Sequence, residues 1–242
     1  MKLGNFKVLT FDVYGTLIDW ETGIMEGLKP LTDRADSALD SDKILEAHAY
    51  HESTIQRLTP SKLYRDLLPV VYRRLAEEWN VTVSWDECKA YGATVGRWPA
   101  FPDSAEALGY LKKHYRLAVL TNTDNVSFAG SNKRLRVEFE NVYTAEDIGS
   151  YKPARRNFEY MIEALGRQGI DKSQILHVAE SLFHDHAPAN EFGLANCWIY
   201  RRHDKDGFGA TMDPGNTPHA DFRFNSMAEF AAAHRAGAGP LE

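Results

Sequence analysis

The chain is poor in the residues that would force a special class on it. It has two cysteines, Cys88 and Cys197, far apart and outside any C-x-x-C pair. That excludes a disulfide scaffold and a structural zinc site, and it fits a reducing compartment. No run approaches the ~18 apolar residues of a membrane span. The apolar part of the N-terminal stretch MKLGNFKVLTFDV is too short for a secretory signal. A soluble, cytoplasmic protein with no membrane partner is therefore the expectation. Positive charge is also in deficit, since 28 Lys and Arg against 34 Asp and Glu leave −6. Such a balance argues against nucleic acid and against an anionic membrane surface as partner. Internal repeats and low-complexity tracts are missing as well. What remains is a chain of 242 residues, 43% hydrophobic. That is enough for one large domain, or for a core with an insert.

Short apolar runs mark six candidate strands: 7–13, 116–122, 141–147, 175–180, 195–200 and 221–224. Helical patterns fall between them at 104–114, 154–166 and around 187–193. Alternation of this kind implies right-handed crossovers and an α/β fold, a mostly parallel sheet with helices on both faces. Between the first two strands the alternation stops. Residues 19–98 read as helices only, and Tyr64, Leu67, Leu68, Val71, Leu75 and Trp79 recur at three- and four-residue steps. That stripe reads as packing against a sister helix. The expectation is an all-helical cap over residues 19–98, with Trp20 and Trp98 at its joints, inserted into a core of residues 1–18 and 99–242. The Gly-rich patch 207–215 follows a charged run rather than a strand, so it reads as a surface loop and not a phosphate cradle.

Sites in parallel sheets form at the carboxyl ends of the strands. The first strand delivers Asp12 and Tyr14, and the second ends in Thr121-Asn122-Thr123-Asp124. The third leads through GSYKP to Lys152, and the fourth leads to Glu180, Ser181 and then Asp185. A carboxylate, a hydroxyl, an amide, an ammonium and further acids thus converge on one edge. This set suits covalent catalysis, with Asp12 as nucleophile, Lys152 holding it ionised, and the hydroxyl and amide donors binding an anion. His184 and His186 flank Asp185 without zinc spacing and read as surface or structural residues, so no metal site is expected there. His48 and His51 read as solvent-facing.

DVYGT, LTN, YKP and the final acidic segment, in this order, resemble the four motifs of the haloacid dehalogenase superfamily, and the helical insert falls where that superfamily carries a cap. The resemblance implies a Rossmann-like core with an aspartate nucleophile. The tyrosine at position 14 matters. Phosphatases of the superfamily have an acid there to protonate a departing alkoxide, whereas a halide leaves unprotonated. DVYGT is similar to the 2-haloacid dehalogenase subgroup, as is Phe158, six residues after Lys152, where that subgroup often shows tyrosine. The resemblance implies hydrolysis of a short 2-haloalkanoic acid to a 2-hydroxy acid. In it, Asp12 attacks C2 and forms an ester, and Asn122 lines the halide pocket. Lys152 and Asp185 assist water, and Val13 and Tyr14 N–H groups with the Thr121 hydroxyl hold the small carboxylate substrate. No cofactor is implied, and a homodimer is compatible with it. The subgroup's cap arginine falls near residues 44–48, which read ILEAH; Arg57, Arg65 and Arg97 stand as substitutes. The alternatives are a magnesium-dependent phosphatase, kept open by Glu180 and Asp185, a hydrolase of another small 2-substituted carboxylate, and a non-catalytic binding module.

Overall fold

The computed structural model describes residues 1–35 and 39–237. Its six strands are β1 (Val8–Phe11), β2 (Arg116–Thr121), β3 (Asn141–Thr144), β4 (Ile175–Ala179), β5 (Ala195–Ile199) and β6 (Phe222–Phe224). All are parallel, in the order β3-β2-β1-β4-β5-β6. Each lies within a run expected from the sequence and is shorter at one or both ends. The strands are apolar almost throughout because both faces of the sheet are covered. One buried cluster, with Val8, Leu120 and Ile175 from the sheet and Phe158, Met161 and Leu165 from a helix, fills one face. The other cluster, with Leu9, Phe11 and Val119, runs without a break into the helical insert.

That insert consists of α1 (Trp20–Thr32), α2 (Ser41–Leu58), α3 (Tyr64–Glu78) and α4 (Trp85–Gly92), with no named strand among its described residues. The starts of α1, α2 and α4 are marked by capping side chains, Asp19, Asp40 and Ser84. Asp19 accepts from Thr22 N–H at 3.1 Å, and Ser84 and Glu87 form a reciprocal capping box. The apolar stripe of α3 is buried against α2 and α4, as its spacing implies. Core helices follow: α5 (Ser104–Leu111), α6 (Asn125–Leu135), α7 (Ala145–Ile148), α8 (Arg155–Gly166), α9 (Ala187–Glu191) and α10 (Met227–Ala236). Between β4 and α9 a single π-helical turn, Leu182–His186, carries Asp185. The Gly-rich stretch 207–215 is a loop, although Ala210 and Thr211 are buried. Among the described residues, no helix is long and apolar enough to cross a membrane.

Two features fix where a site can form. The strand order reverses at β1, whose neighbours β2 and β4 leave in opposite directions, so a crevice opens at their carboxyl ends. The two chain crossings into the helical insert also run side by side. Asp19 N–H donates to Pro99 O at 2.8 Å, Phe101 N–H donates to Leu17 O at 3.1 Å, and Ile18 bridges Ala100. The insert therefore sits on a paired stem directly over that crevice. Trp98 packs on Gly23 of α1, where only hydrogen fits: a Cβ there would stand 2.2 Å from Trp98 Cγ.

Gly23→Ala should therefore destabilise the protein despite alanine's better helix propensity, by about 1–3 kcal/mol for overpacking. Gly109→Ala, in α5 where an added Cβ meets nothing within 4 Å, should hold or raise stability. Urea midpoints of the two variants check this, and equal shifts would contradict the close packing at Trp98.

Candidate active site

After β1 the chain makes a tight turn. Asp12 N–H still reaches Val178 O of β4 at 3.0 Å, and Gly15 then takes φ +97°, which suits glycine. Leu17 N–H folds back on Val13 O at 2.8 Å. The turn aims the Asp12 carboxylate into the crevice and brings Thr16 beneath it. The Thr16 hydroxyl donates to Asp12 Oδ2 at 2.6 Å and accepts from Glu180 N–H at 2.8 Å. Among the described residues, the N–H groups of Val13 and Tyr14 donate to no acceptor of the chain, and they lie at the same turn.

Lys152 is almost fully buried, and its ammonium has three donors and three acceptors. These are Asp12 Oδ1 at 2.8 Å, Asp185 Oδ1 at 2.7 Å and Leu120 O at 3.0 Å. Burial alone would lower its pKa, but the two carboxylates outweigh it and keep the amine charged. Asp185 Oδ1 also accepts from His177 Nε2 at 2.9 Å, and the Thr10 hydroxyl meets His177 Nδ1 at 2.9 Å. Burial opposes ionisation of Asp185, yet Lys152 and His177 hold its carboxyl well below the usual range. Burial raises the Asp12 carboxyl, against the pull of Lys152 and Thr16. Asp185 Oδ2 is buried with no hydrogen-bond partner.

Asp12, Tyr14, Asn122, Lys152 and Asp185, all singled out from the sequence, line one small cavity. Thr121 is buried beside it, and its hydroxyl lies 3.2 Å from that of Thr123, which is the threonine on the cavity wall. Asn122 clasps the backbone of Lys152, its Oδ1 accepting from Lys152 N–H at 2.6 Å and its Nδ2 donating to Lys152 O at 3.0 Å. Tyr14 forms a wall, its hydroxyl 2.8 Å from Ser131 Oγ and its ring edge-on to Trp98. Val13 is fully buried, so only its backbone faces ligand chemistry. Phe158 lies behind the site against His177. Glu180 faces a neighbouring cleft with Arg201 and Arg202, where burial pushes its carboxyl up to about 8.

Several residues escaped the sequence reading. Trp20, Glu52 and Tyr64 close the cavity from the helical insert. His177 hides inside an apolar strand, and its one sequence signal is a basic side chain in ILHVA. His184 lines the cavity, with Nδ1 3.1 Å from Ser181 Oγ, and burial lowers it to about 4, so it is neutral. The solvent-facing expectation for His48 is wrong: it is fully buried, with Nε2 2.8 Å from the Tyr91 hydroxyl, because its turn of α2 faces α4. His51 is partly covered and pairs with Glu78 at 2.7 Å. His186 is structural, held by Asn196 and Ala179 O. None of the three candidate arginines lines the cavity. Arg57 and Arg97 are exposed, and Arg65 is spent on Asp124 at 3.3 Å. Among the described residues, no group of three His, Cys, Asp or Glu side chains is arranged to hold a metal ion, and one oxygen each of Asp12 and Asp185 is bridged by the lysine.

Comparison with known proteins gives matches over most of the chain. A family model described as haloacid dehalogenase-like hydrolase matches residues 6–191. The (S)-2-haloacid dehalogenase of Pseudomonas sp. (strain YL) is 28% identical over 241 residues, spanning 98% of this chain and 97% of that one. The L-2-haloacid dehalogenase of Xanthobacter autotrophicus superposes with a TM-score of 0.76 at 15% identity, over 96% and 100% of the two chains. The HAD-hydrolase YfnB of Bacillus subtilis, solved bound to magnesium, gives 0.72 at 18% identity, over 95% and 98%. At such identities the superpositions speak for the fold.

Lys152→Met should leave two buried carboxylates facing each other without a cation. The expected loss is about 3–5 kcal/mol at neutral pH. An unpaired buried carboxyl has a raised folded pKa, so its penalty is felt above that pKa and fades as pH falls. The gap to wild type should narrow in mildly acidic buffer. Urea denaturation at both pH values tests this, and a gap that widens in acid would contradict the charge assignment.

Proposed function

The chain belongs to the haloacid dehalogenase-like hydrolases, and from that membership we propose that it hydrolyses a short 2-haloalkanoic acid to the 2-hydroxy acid through an ester on Asp12. In this reading residues 19–98 are the cap, and residues 1–18 with 99–242 are the catalytic core. The observation that carries it is the Asp12 carboxylate, aimed into a small cavity, charge-paired with Lys152, and followed in its motif by Tyr14 instead of a second acid. The identity of relatives named (S)-2-haloacid dehalogenase supports the substrate class.

The substrate carboxylate would lie against the free N–H groups of Val13 and Tyr14 and the Thr123 hydroxyl. An Asp12 oxygen attacks C2 from the side opposite the halogen, the carbon–halogen electron pair leaves with the halide, and C2 inverts. Water then adds to the carbonyl carbon of the ester. Asp185 Oδ2, buried and without a partner, is the acceptor for its proton. Lys152 takes up the negative charge that develops on the ester oxygen, and Asn122 holds Lys152 in place through its backbone. The bond between the Asp12 carbonyl carbon and the ester oxygen then breaks, Asp185 returns its proton to that oxygen, the 2-hydroxy acid departs with its C2–O bond intact, and Asp12 is regenerated carrying one oxygen from water. Tyr14 in place of a second acid leaves no group in the motif to protonate a departing alkoxide, which favours the metal-free reading over the magnesium phosphatase.

In a single turnover in oxygen-18 water, the peptide carrying Asp12 should gain one heavy oxygen, and Asp12→Asn should lower turnover at least ~10³-fold while still binding product. Label found only in the product would sink the ester. Haloacid turnover should survive EDTA, because no phosphoryl charge needs neutralising. Complete loss with EDTA, restored by magnesium, would shift the assignment to the phosphatase.

A further inference from the structure

The wall that faces Asp12 across the cavity is built by the cap, and it carries a carboxyl group. Glu52 of α2 is buried and lines the same cavity as Asp12. Gln56 Nε2 donates to its Oε1 at 2.9 Å, and Tyr64 lines the same cavity. Its Oε2 stands 3.5 Å from His48 Nδ1, a buried nitrogen with no hydrogen-bond partner. The other titratable groups around it are Tyr91 of α4 and Tyr151 of the core, with Asp12, Asp185, Lys152 and His184 across the cavity. The cavity holds three carboxyl groups and one ammonium, and no arginine.

In-line displacement sets the direction of departure. The nucleophile comes from the strand ends, so the leaving atom points at the cap, where Glu52 and Tyr64 stand. An ionised Glu52 would repel a departing anion, whereas a protonated one donates to it. We infer that Glu52, as the neutral acid, donates a hydrogen bond to the leaving atom, and so supplies from the cap the acid that the Asp12 motif lacks. This rests on the proposed Asp12 chemistry and narrows its substrate class. It favours 2-substituted carboxylates whose leaving atom accepts a hydrogen bond strongly, which among the halogens means fluorine. As the Asp12 oxygen bonds to C2, the C2–F electron pair passes to fluoride, and the Glu52 O–H points at it. Fluoride then leaves with its hydrogen bond, and Glu52 keeps its proton. Burial pushes the Glu52 carboxyl up to about 7, so this donor is present on the acid side of neutrality and is lost above it.

The test is fluoride and bromide release from fluoroacetate and bromoacetate by wild type, Glu52→Met and Glu52→Gln across pH. Methionine removes the donor. The fluoride-to-bromide rate ratio should fall about 100-fold. Glutamine keeps an N–H donor with no proton to lose. It should hold the ratio within about threefold of wild type and abolish the alkaline decline of fluoride release. An unchanged ratio in Glu52→Met overturns the assignment, as does an alkaline decline that persists in Glu52→Gln. Should the methionine variant not fold, the glutamine pH profile decides alone. Wild type that releases bromide and no fluoride overturns the Glu52 role and leaves the Asp12 reading standing. Release of neither halide overturns both.

Discussion

One buried ammonium group organises the site. Lys152 Nζ touches the carboxylates of two different strand ends and a carbonyl of a third strand, and the two carboxylates keep it charged despite its burial. Remove it, and Asp12 and Asp185 become like charges in low dielectric, where repulsion is no longer screened by water. With it in place, one oxygen of each acid is occupied and the other is left to act. Asp12 Oδ2 is steadied by a hydroxyl, and Asp185 Oδ2 by nothing. The lysine thus fixes both the charge and the free lone pairs of the site.

The support for this arrangement reaches deep into the sheet. Thr10 and His177 are register partners on β1 and β4, and they form a polar seam through otherwise apolar strands. The seam ends on Asp185. A buried hydrogen bond is costly to leave unmade, so the pair ties the position of the Asp185 carboxylate to the strand register itself. Asn122 does the same for the lysine by clasping its backbone. The reacting groups therefore stand on turns just past the strand ends, each tied back to a strand or its end by hydrogen bonds that keep the geometry tight.

The helical insert completes the cavity and is not free of the core. Its apolar cluster is continuous with that of the sheet, and its stem is two hydrogen-bonded crossings with Trp98 seated on Gly23. What the cap presents to the site is a carboxyl group and aromatic rings, without the arginine expected there.

The sequence alone was sufficient for the sheet and for the positions of Asp12, Tyr14, Asn122, Lys152 and Asp185. A parallel sheet buries both faces, so its strands show as apolar runs, and its chemistry is confined to the residues just after them. The same logic could not rank Thr121 against Thr123, because both follow one strand and only packing decides which hydroxyl reaches the cavity. His177 was invisible because its partner, Asp185, is eight residues away in sequence but adjacent only once the π-helical turn folds back. Glu52, Tyr64 and His48 lie in the helical insert, where periodicity reports which face is buried but not what it is buried against. Tyr64 read as core packing and His48 as solvent-facing. Tyr64 lines a cavity that exists only where the helical insert meets the sheet, and His48 is buried within the insert against Tyr91 of α4, and both outcomes are decided by tertiary packing.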